Sequence, residues 1–306
     1  MSWERYIALH EVLREIAASN VNVIEPSISH STGVIYPLIL KVAASYGVSE
    51  TEVLEELNRL GVLESEPHEN IVVCPSCGSL RLFSKLHCPN CGSDSLRKTL
   101  ILAHVTCGGV NVVEETEKPV NCSKCGKPLK ETKNIGILYQ CRNCGARFEA
   151  PLPSWRCADC KSTFDYKKAR YTVINRYRVR KDRLPEAAKH LLVAIVTREI
   201  TATGLKVIST SQVKGKSGYY HTVDIVASGD VTPIYLDIIA ESSRALGDAL
   251  SSIAKATDLE GQHIVLVPKS LEKSTPSTTE SNVVFYENAK DLQVKIDNLL
   301  KKLRKK

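Results

Sequence analysis

The chain has 306 residues, enough for two or three domains, and its 43% hydrophobic and 25% charged residues are typical of a soluble globular protein. Its first residues, MSWERYIALHEV, carry charges through their apolar pattern, unlike a signal peptide. Its apolar stretches are too short to span a bilayer. We therefore expect a cytoplasmic protein without a membrane partner, in which eleven cysteines favour metal thiolates over disulfides.

The net charge of +7 is unevenly distributed along the chain. Residues 1–70 hold 4 basic and 11 acidic side chains, residues 71–180 hold 19 and 8, and residues 181–306 hold 18 and 15. Eleven thiolates bound to three Zn²⁺ would lower the charge of the middle segment by about five, and that segment would still be basic. The middle therefore favours an anionic partner, and the first segment a basic one.

Residues 1–70 are predicted to be helical. WERYIALHEVLREIA has helical spacing, and two further helices flank a turn at Gly47, where Ser49 and Glu52 form a capping box. This spacing resembles a helix-turn-helix and predicts a winged-helix-like domain. Its second helix carries four carboxylates that DNA would repel: Glu50, Glu52, Glu55 and Glu56. We therefore expect this domain to dock on a protein partner or on the basic middle segment rather than to read DNA.

Residues 71–170 contain five CxxC pairs, and two thiolates at this spacing occupy one side of a tetrahedral metal site. The pairs are Cys74/Cys77, Cys88/Cys91, Cys122/Cys125, Cys141/Cys144 and Cys157/Cys160. The segment has little apolar material for a core, and structural zinc contributes roughly 10–16 kcal/mol per site in comparable peptides. We therefore predict a zinc-ribbon domain that metal stabilises.

The eleventh cysteine, Cys107, lies in HVTCGG, where His104 takes the place of a first cysteine. Counting His104 gives twelve ligands and three structural Zn²⁺ per chain. Pairing along the chain joins Cys74/Cys77 to Cys88/Cys91, Cys141/Cys144 to Cys157/Cys160, and His104/Cys107 to Cys122/Cys125. An interleaved pairing is the alternative, as is an ordinary His104 with Cys107 as a buried thiol. His87, next to Cys88, is another candidate ligand.

The run from CPSCGS through CPNCGS, HVTCGG and CSKCGKPL to WRCADCKSTFDYKKA resembles the thaumarchaeal output domain, a cysteine-rich archaeal module. The resemblance covers roughly residues 70–170. It implies an archaeal, cytosolic, zinc-binding protein. Ala103 stands where the family usually has an acidic residue or a histidine.

Residues 171–306 show the order α-β-β-β-α-β with a further strand and helix, which predicts a mixed α/β sheet. This order and the run VKGKSGYYHTVDIVASGDVTPIYLDII resemble the restriction-endonuclease-like fold. The resemblance implies that Asp224 and Asp237 occupy the positions of two Mg²⁺-binding acids, with Glu199 as an accessory acid. Ile239 replaces the catalytic lysine of that fold, and Lys214 or Lys216 is a candidate substitute in space.

The densest basic stretch, residues 166–183, also contains three tyrosines. Alternation along a strand would place its three central arginines on one face, where they suit phosphates, and tyrosines can stack on bases. The alternative is that the arginines pair with the acidic N-terminal segment. The predicted nucleic-acid contacts are Lys167, Lys168, Arg170, Arg176, Arg178 and Arg180.

Together these patterns predict a multidomain α+β protein with a winged-helix-like domain (1–70), a three-zinc ribbon domain (71–170) and a restriction-endonuclease-like domain (171–306). The function they favour is a non-catalytic, zinc-stabilised regulatory or adaptor protein that associates with DNA or RNA. A divergent Mg²⁺-dependent nuclease is one alternative. A signalling or assembly module that binds only protein is the other.

Overall fold

The computed structural model describes residues 3–29, 31–115, 121–228, 232–276 and 282–303. Its residues fall into two compact units. Unit 1 comprises residues 1–27, 34–68 and 175–306, and unit 2 comprises residues 28–33 and 69–174. The described residues form a mixed α+β fold with six α-helices and five sheets. The winged-helix, zinc-ribbon and restriction-endonuclease-like assignments, and the three-domain boundaries, remain predictions.

The six helices all belong to unit 1: α1 (Trp3–Ser19), α2 (Pro37–Ala43), α3 (Glu50–Arg59), α4 (Leu184–Ala202), α5 (Ala245–Lys255) and α6 (Ala289–Leu303). Of the predicted capping box, the N-cap bond is present: Ser49 Oγ accepts the Glu52 N–H at 3.2 Å. The turn before α3 is also present, with Gly47 at φ +64°. Among the described residues, no helix combines the length and apolar character that a membrane crossing requires.

The N-terminal helices of unit 1 share a hydrophobic core with α4. Leu9, Val12 and Ile16 on α1 pack in one buried cluster with Leu57 on α3 and Leu191 on α4. Two strands of a three-stranded sheet, β1 (Val23–Ile24) and β12 (Arg170–Val179), pair antiparallel, and β4 (Leu63–Val73) lies on the other side of β12. β2 (Ser27–Ser29) and β3 (Gly33–Ile35) form a separate two-stranded sheet.

A five-stranded sheet forms the rest of unit 1, in the order β13 (Lys206–Lys214), β14 (Tyr220–Ser228), β15 (Ile234–Ile238), β16 (Gln262–Pro268) and β17 (Asn282–Tyr286). β13, β14 and β15 pair antiparallel, whereas β15, β16 and β17 pair parallel. Residues of α4 and α6 share one buried cluster with the sheet, and residues of α5 share another. The predicted order of elements is therefore observed.

Unit 2 is built of short antiparallel strands. Its two sheets have the orders β7-β6-β8-β9 and β11-β10-β5. These strands are β5 (Leu82–His87), β6 (Leu96–His104), β7 (Val110–Glu114), β8 (Thr132–Cys141), β9 (Arg147–Phe148), β10 (Leu152–Cys157) and β11 (Thr163–Asp165). A cluster of buried residues in this unit consists of Cys74, Cys157 and Phe164, so cysteines occupy places that aliphatic side chains would fill in an ordinary core.

Candidate functional site

The structure brings the twelve candidate ligands of unit 2 together in three groups of four. Each group joins two turns, and the groups are nested in the sequence. We call them the outer site (Cys74, Cys77, Cys157, Cys160), the middle site (Cys88, Cys91, Cys141, Cys144) and the inner site (His104, Cys107, Cys122, Cys125). The ligand atoms within each group lie within 4.8 Å of one another.

The predicted pairing along the chain is therefore wrong for four of the five CxxC pairs and agrees with the structure only at the inner site; the groups are nested, which is neither the pairing along the chain nor an interleaved one. The predicted pairing joins each turn to a neighbouring turn in the sequence, which leaves short loops between them. Strand pairing decides otherwise, because β6 and β8 place Leu96 opposite Cys141, and β5 and β10 place Leu82 opposite Cys157. Distant turns thus meet at the ends of paired strands.

The six ligand turns share one backbone conformation. In each, the N–H of the first ligand donates to the carbonyl five residues later at 2.8–2.9 Å, as from Cys74 to Ser79 and from His104 to Gly109. HVTCG thus has the geometry of a CxxC turn with histidine as its first ligand. Five of the turns have glycine after the second ligand, with φ between +66° and +75°, a conformation that costs glycine little.

The distances fit one four-coordinate ion per group. Sγ atoms of facing turns lie 3.5–3.7 Å apart, far beyond the length of a disulfide bond. A tetrahedral ion with metal–sulfur bonds of about 2.3 Å requires sulfur atoms roughly 3.8 Å apart. In the inner site, Nδ1 of His104 lies 3.3 Å from Cys107 Sγ and 3.4 Å from Cys125 Sγ, so Nδ1 faces the ion position.

Side chains that are not ligands donate to the sulfur atoms, and the sequence interpretation missed them. In the middle site, Asn90 donates to Cys144 Sγ at 3.6 Å. The N–H of Ala146, followed by Asn90, lowers the pKa of Cys144 to about 6, which favours the thiolate that binds metal. In the outer site, the Ser162 hydroxyl lies 3.3 Å from Cys74 Sγ and lowers the pKa of that thiol to about 6.

In the inner site, the buried side chain of Asn111 forms hydrogen bonds to one ligand turn. Asn111 is 7% exposed, donates to Cys122 Sγ at 3.6 Å, and accepts the N–H of Ser123 at 2.8 Å. A Cβ atom on Gly109 would lie 2.8 Å from Cys122 Sγ, so the second glycine of HVTCGG is required by close packing against the metal ligands. The second glycine in HVTCGG was the sequence signal that could have predicted this close packing at Gly109.

His87, the other candidate ligand, is not part of any group. Its Nδ1 lies 3.0 Å from the carbonyl oxygen of Gly92 and its Nε2 lies 2.7 Å from Ser154 Oγ. Both ring nitrogens are therefore used in hydrogen bonds.

The predicted nucleic-acid contacts divide into two sets. Arg176 and Arg178 both form ion pairs with Glu66 of unit 1, and Arg180 pairs with Asp182. For Arg176 and Arg178, this is the alternative in which an acidic residue of the first segment neutralises the arginines. The other set is Lys167, Lys168 and Arg170, for which the described part of unit 2 shows no ion pair; Tyr166 and Tyr171 beside them are 55% and 61% exposed.

In unit 1, Asp224 and Asp237 lie together beside a cavity of about 720 Å³. Asp237 is 3% exposed, and its Oδ1 accepts the N–H of Asp224 at 3.3 Å. Lysines from two helices contact the pair: Lys189 Nζ lies 2.9 Å from Asp224 Oδ1, and Lys255 Nζ lies 3.0 Å from Asp237 Oδ2. The sequence interpretation had named neither lysine.

The negative charge of buried Asp237 is compensated by side chains of the protein itself, Lys255 and His263. Burial alone would raise the pKa of Asp237, but a hydrogen bond from His263 and the charge of Lys255 hold it below its ordinary value. The other predicted positions lie elsewhere. Glu199 accepts a hydrogen bond from Gln293 and is ten residues, about 15 Å, beyond Lys189 on α4. Ile239 packs in the apolar cluster around α5.

We predict that His104→Ala lowers the metal content from three ions per chain to two, because three thiolates leave the inner site one ligand short. Metal analysis after passage over a weak chelator measures this. His104→Cys, which restores a fourth ligand, and His87→Ala, which alters a histidine beside a ligand, should keep three ions. Two ions in the unaltered protein would contradict the prediction.

We also predict that Lys161→Gly stabilises unit 2 by roughly 0.5–1 kcal/mol. Lys161 replaces glycine in the sixth turn and has φ +63°, which costs an L-residue about 1–2 kcal/mol, partly offset by the greater flexibility of unfolded glycine. Denaturant unfolding at saturating metal measures the change. The matched control is Gly145→Lys, at φ +74° with open space around it, which should destabilise by a similar amount. Equal midpoints for all three proteins would refute this explanation.

Comparisons with known proteins support the family resemblance and extend it. The family model described as thaumarchaeal output domain 1 matches residues 8–179, so the match includes the N-terminal helices as well as the cysteine-rich segment. No curated protein matches the chain. A crystal structure titled protein of unknown function AF1548 is 16% identical to this chain, with a TM-score of 0.22. The match covers 32% of this chain and 50% of that chain. The family match spans more than half of the sequence, and the chain therefore belongs to the thaumarchaeal output domain 1 family.

Proposed function

We propose that this chain is a cytoplasmic, non-catalytic regulatory or adaptor protein that associates with nucleic acid and is stabilised by three Zn²⁺. The donor sets support zinc, because Cys₄ and Cys₃His groups at tetrahedral spacing are typical of closed structural zinc sites. Eleven cysteines without a disulfide support a reducing compartment. The nucleic-acid part of the proposal rests on one surface of unit 2.

That surface is the basic turn, which we define as residues 166–171. Asp165 Oδ1 accepts the N–H groups of Lys167 and Lys168 at 3.1 and 3.2 Å and so fixes the turn. A Cβ atom on Gly78 would meet Arg170 Nη2 at 3.1 Å, so this guanidinium lies over a ligand turn of the outer site. Metal binding thus helps to position a cationic surface whose charges have no carboxylate partner within the described residues.

Phosphates are the ligand class that such a surface suits. Three cations close together contact consecutive phosphates of a nucleic-acid strand, and exposed tyrosines add stacking on bases. A folded protein partner would need matching acids, and the exposed rings of Tyr166 and Tyr171 give no preference for acids. Nucleic acid is therefore the partner that uses all parts of the basic turn.

We predict that replacing Lys167, Lys168 and Arg170 by glutamine weakens binding to fluorescent single-stranded DNA and RNA. It should also reduce the slope of log K against log salt concentration by about two. Anisotropy titrations at several salt concentrations measure both. The control replaces Arg176 and Arg178, which Glu66 already neutralises, and should change the slope by less than one. An unchanged slope in the first variant would refute the basic turn as the contact surface.

The contacts of Asp224 and Asp237 favour the divergent nuclease as a second candidate, because they place a lysine beside two carboxylates. The same contacts explain why we prefer binding without catalysis. Two ammonium groups already occupy the carboxylate oxygens that Mg²⁺ would need, so a metal ion must displace them before it can bind. Lys255 also supplies the positive charge that a buried Asp237 requires.

We therefore predict that Lys255→Met increases the affinity of the zinc-loaded protein for Mn²⁺ at least about tenfold, since it removes the cation beside Asp237. Electron paramagnetic resonance of free Mn²⁺ measures this. Lys269→Met, which breaks an exposed lysine–carboxylate pair with Glu287, should leave the affinity unchanged. Metal-dependent cleavage of single-stranded, duplex or branched DNA that is lost in both Asp224→Asn and Lys255→Met would instead establish the nuclease.

A further inference from the structure

The hairpin tip between β13 and β14, residues 214–220, presents two tyrosines to solvent. Tyr219 is 76% exposed and Tyr220 is 65% exposed, among the most exposed large side chains in the described chain. Lys214 lies opposite Tyr220 in the strand register, and Lys216 lies at the tip. In the part of the chain that the structure describes, neither lysine has an ion-pair partner. The hairpin tip thus combines exposed rings with unpaired positive charge.

Asp258 holds this hairpin tip rigidly. Its carboxylate accepts the N–H of Ser217 at 2.7 Å, the hydroxyl of Ser217 at 2.6 Å, and a hydrogen bond with His221 Nε2 at 2.6 Å. Its carbonyl accepts the N–H of Lys216 at 2.8 Å. The Ser217 hydroxyl, followed by His221, lowers the pKa of Asp258 to about 2. The carboxylate oxygens are therefore occupied by these donors, and within the described residues Asp258 forms no ion pair with either lysine.

Close packing adds to this rigidity. A Cβ atom on Gly215 would lie 1.9 Å from Asp258 Oδ2, so only glycine permits the carboxylate to approach the hairpin tip so closely. Lys255, beneath it, donates to the carbonyl of Thr222 at 2.7 Å. Several contacts thus fix the backbone that carries two largely exposed rings, which is the arrangement of a preorganised binding surface.

Single-stranded nucleic acid is the ligand that fits these features. Its unpaired bases expose flat faces for the tyrosine rings, and its phosphates complement Lys214 and Lys216. Duplex bases are stacked on each other and offer no such faces along their length. Tyr220 also lies two residues from Thr222, so both point to the same side of β14, and Thr222 lines the cavity that contains Asp224. A strand on the hairpin tip would lie beside that cavity.

We propose that the hairpin tip is a stacking platform for single-stranded nucleic acid, with Tyr219 and Tyr220 contacting bases and Lys214 and Lys216 contacting phosphates. This inference rests on the proposed association with nucleic acid. It adds a second contact surface, which lies in unit 1. It also specifies that this surface selects single-stranded over duplex nucleic acid.

The test compares full-length, zinc-loaded variants in anisotropy titrations with a single-stranded 20-mer and a blunt duplex of the same sequence. Tyr219→Ala with Tyr220→Ala should weaken single-strand binding at least about tenfold and leave duplex binding within about twofold. The corresponding double Phe variant keeps the rings and should bind like the unaltered protein. Lys214→Gln with Lys216→Gln should instead lower the salt dependence.

The outcomes separate this inference from the proposed function. Unchanged single-strand affinity in the double Ala variant, or an equal loss for the duplex, would overturn the stacking platform while the basic turn remains as the contact. Absence of binding by the unaltered protein would overturn both. Loss of a co-purifying protein, rather than of nucleic acid, in the double Ala variant would also overturn the platform. Metal content and thermal unfolding of each variant establish that it is folded.

Discussion

Closure of nested loops by four-ligand groups is the constraint on which unit 2 depends. The inner site closes residues 104–125, the middle site encloses that loop by joining turns at 88–91 and 141–144, and the outer site encloses both. The entropy lost on closing a loop grows with the number of free residues in it. Once the inner loop is closed, the middle site has less free chain to order, and the same holds for the outer site. If each group holds a metal ion, nesting makes the binding of one ion favour the binding of the next.

Strand pairing and metal ligation specify each other in this arrangement. β6 and β8 end beside turns of the middle site, and β5 and β10 end beside turns of the outer site. A slip of one residue in either pair would turn the ligands to the opposite face of the sheet. Conversely, the ligand groups hold in register strands that have few buried apolar side chains. Each element would be marginal alone, and together they replace a hydrophobic core.

Features of unit 2 that depend on neighbouring residues in the sequence could be predicted, whereas features that depend on distant strands could not. The twelve residues that the structure gathers into groups could be predicted, including His104, because ligand spacing, and in five turns the following glycine, are local properties. Pairing could not, because one CxxC turn has the same chemistry as another and the choice depends on strands far apart in the chain. The acidic pair shows the same limit. Asp224 and Asp237 lie on neighbouring strands, as expected, whereas Lys255 comes from a helix whose orientation no local pattern reveals.

Charge counts have a related limit, since they give totals but no partners. The basic stretch of residues 166–183 contains six candidate contacts. Three of them form ion pairs with acids of unit 1, and the three in unit 2 form none with the residues that the structure describes. The Asp224–Asp237 pair differs from the cysteine groups of unit 2 in the source of its positive charge. The cysteine groups of unit 2 could hold ions taken from solvent, whereas buried Asp237 has its cation supplied by Lys255 within the chain. A buried carboxylate that has its own cation needs no metal ion to remain buried, and a ligand that displaced Lys255 from Asp237 would have to offer a stronger cation in the same place.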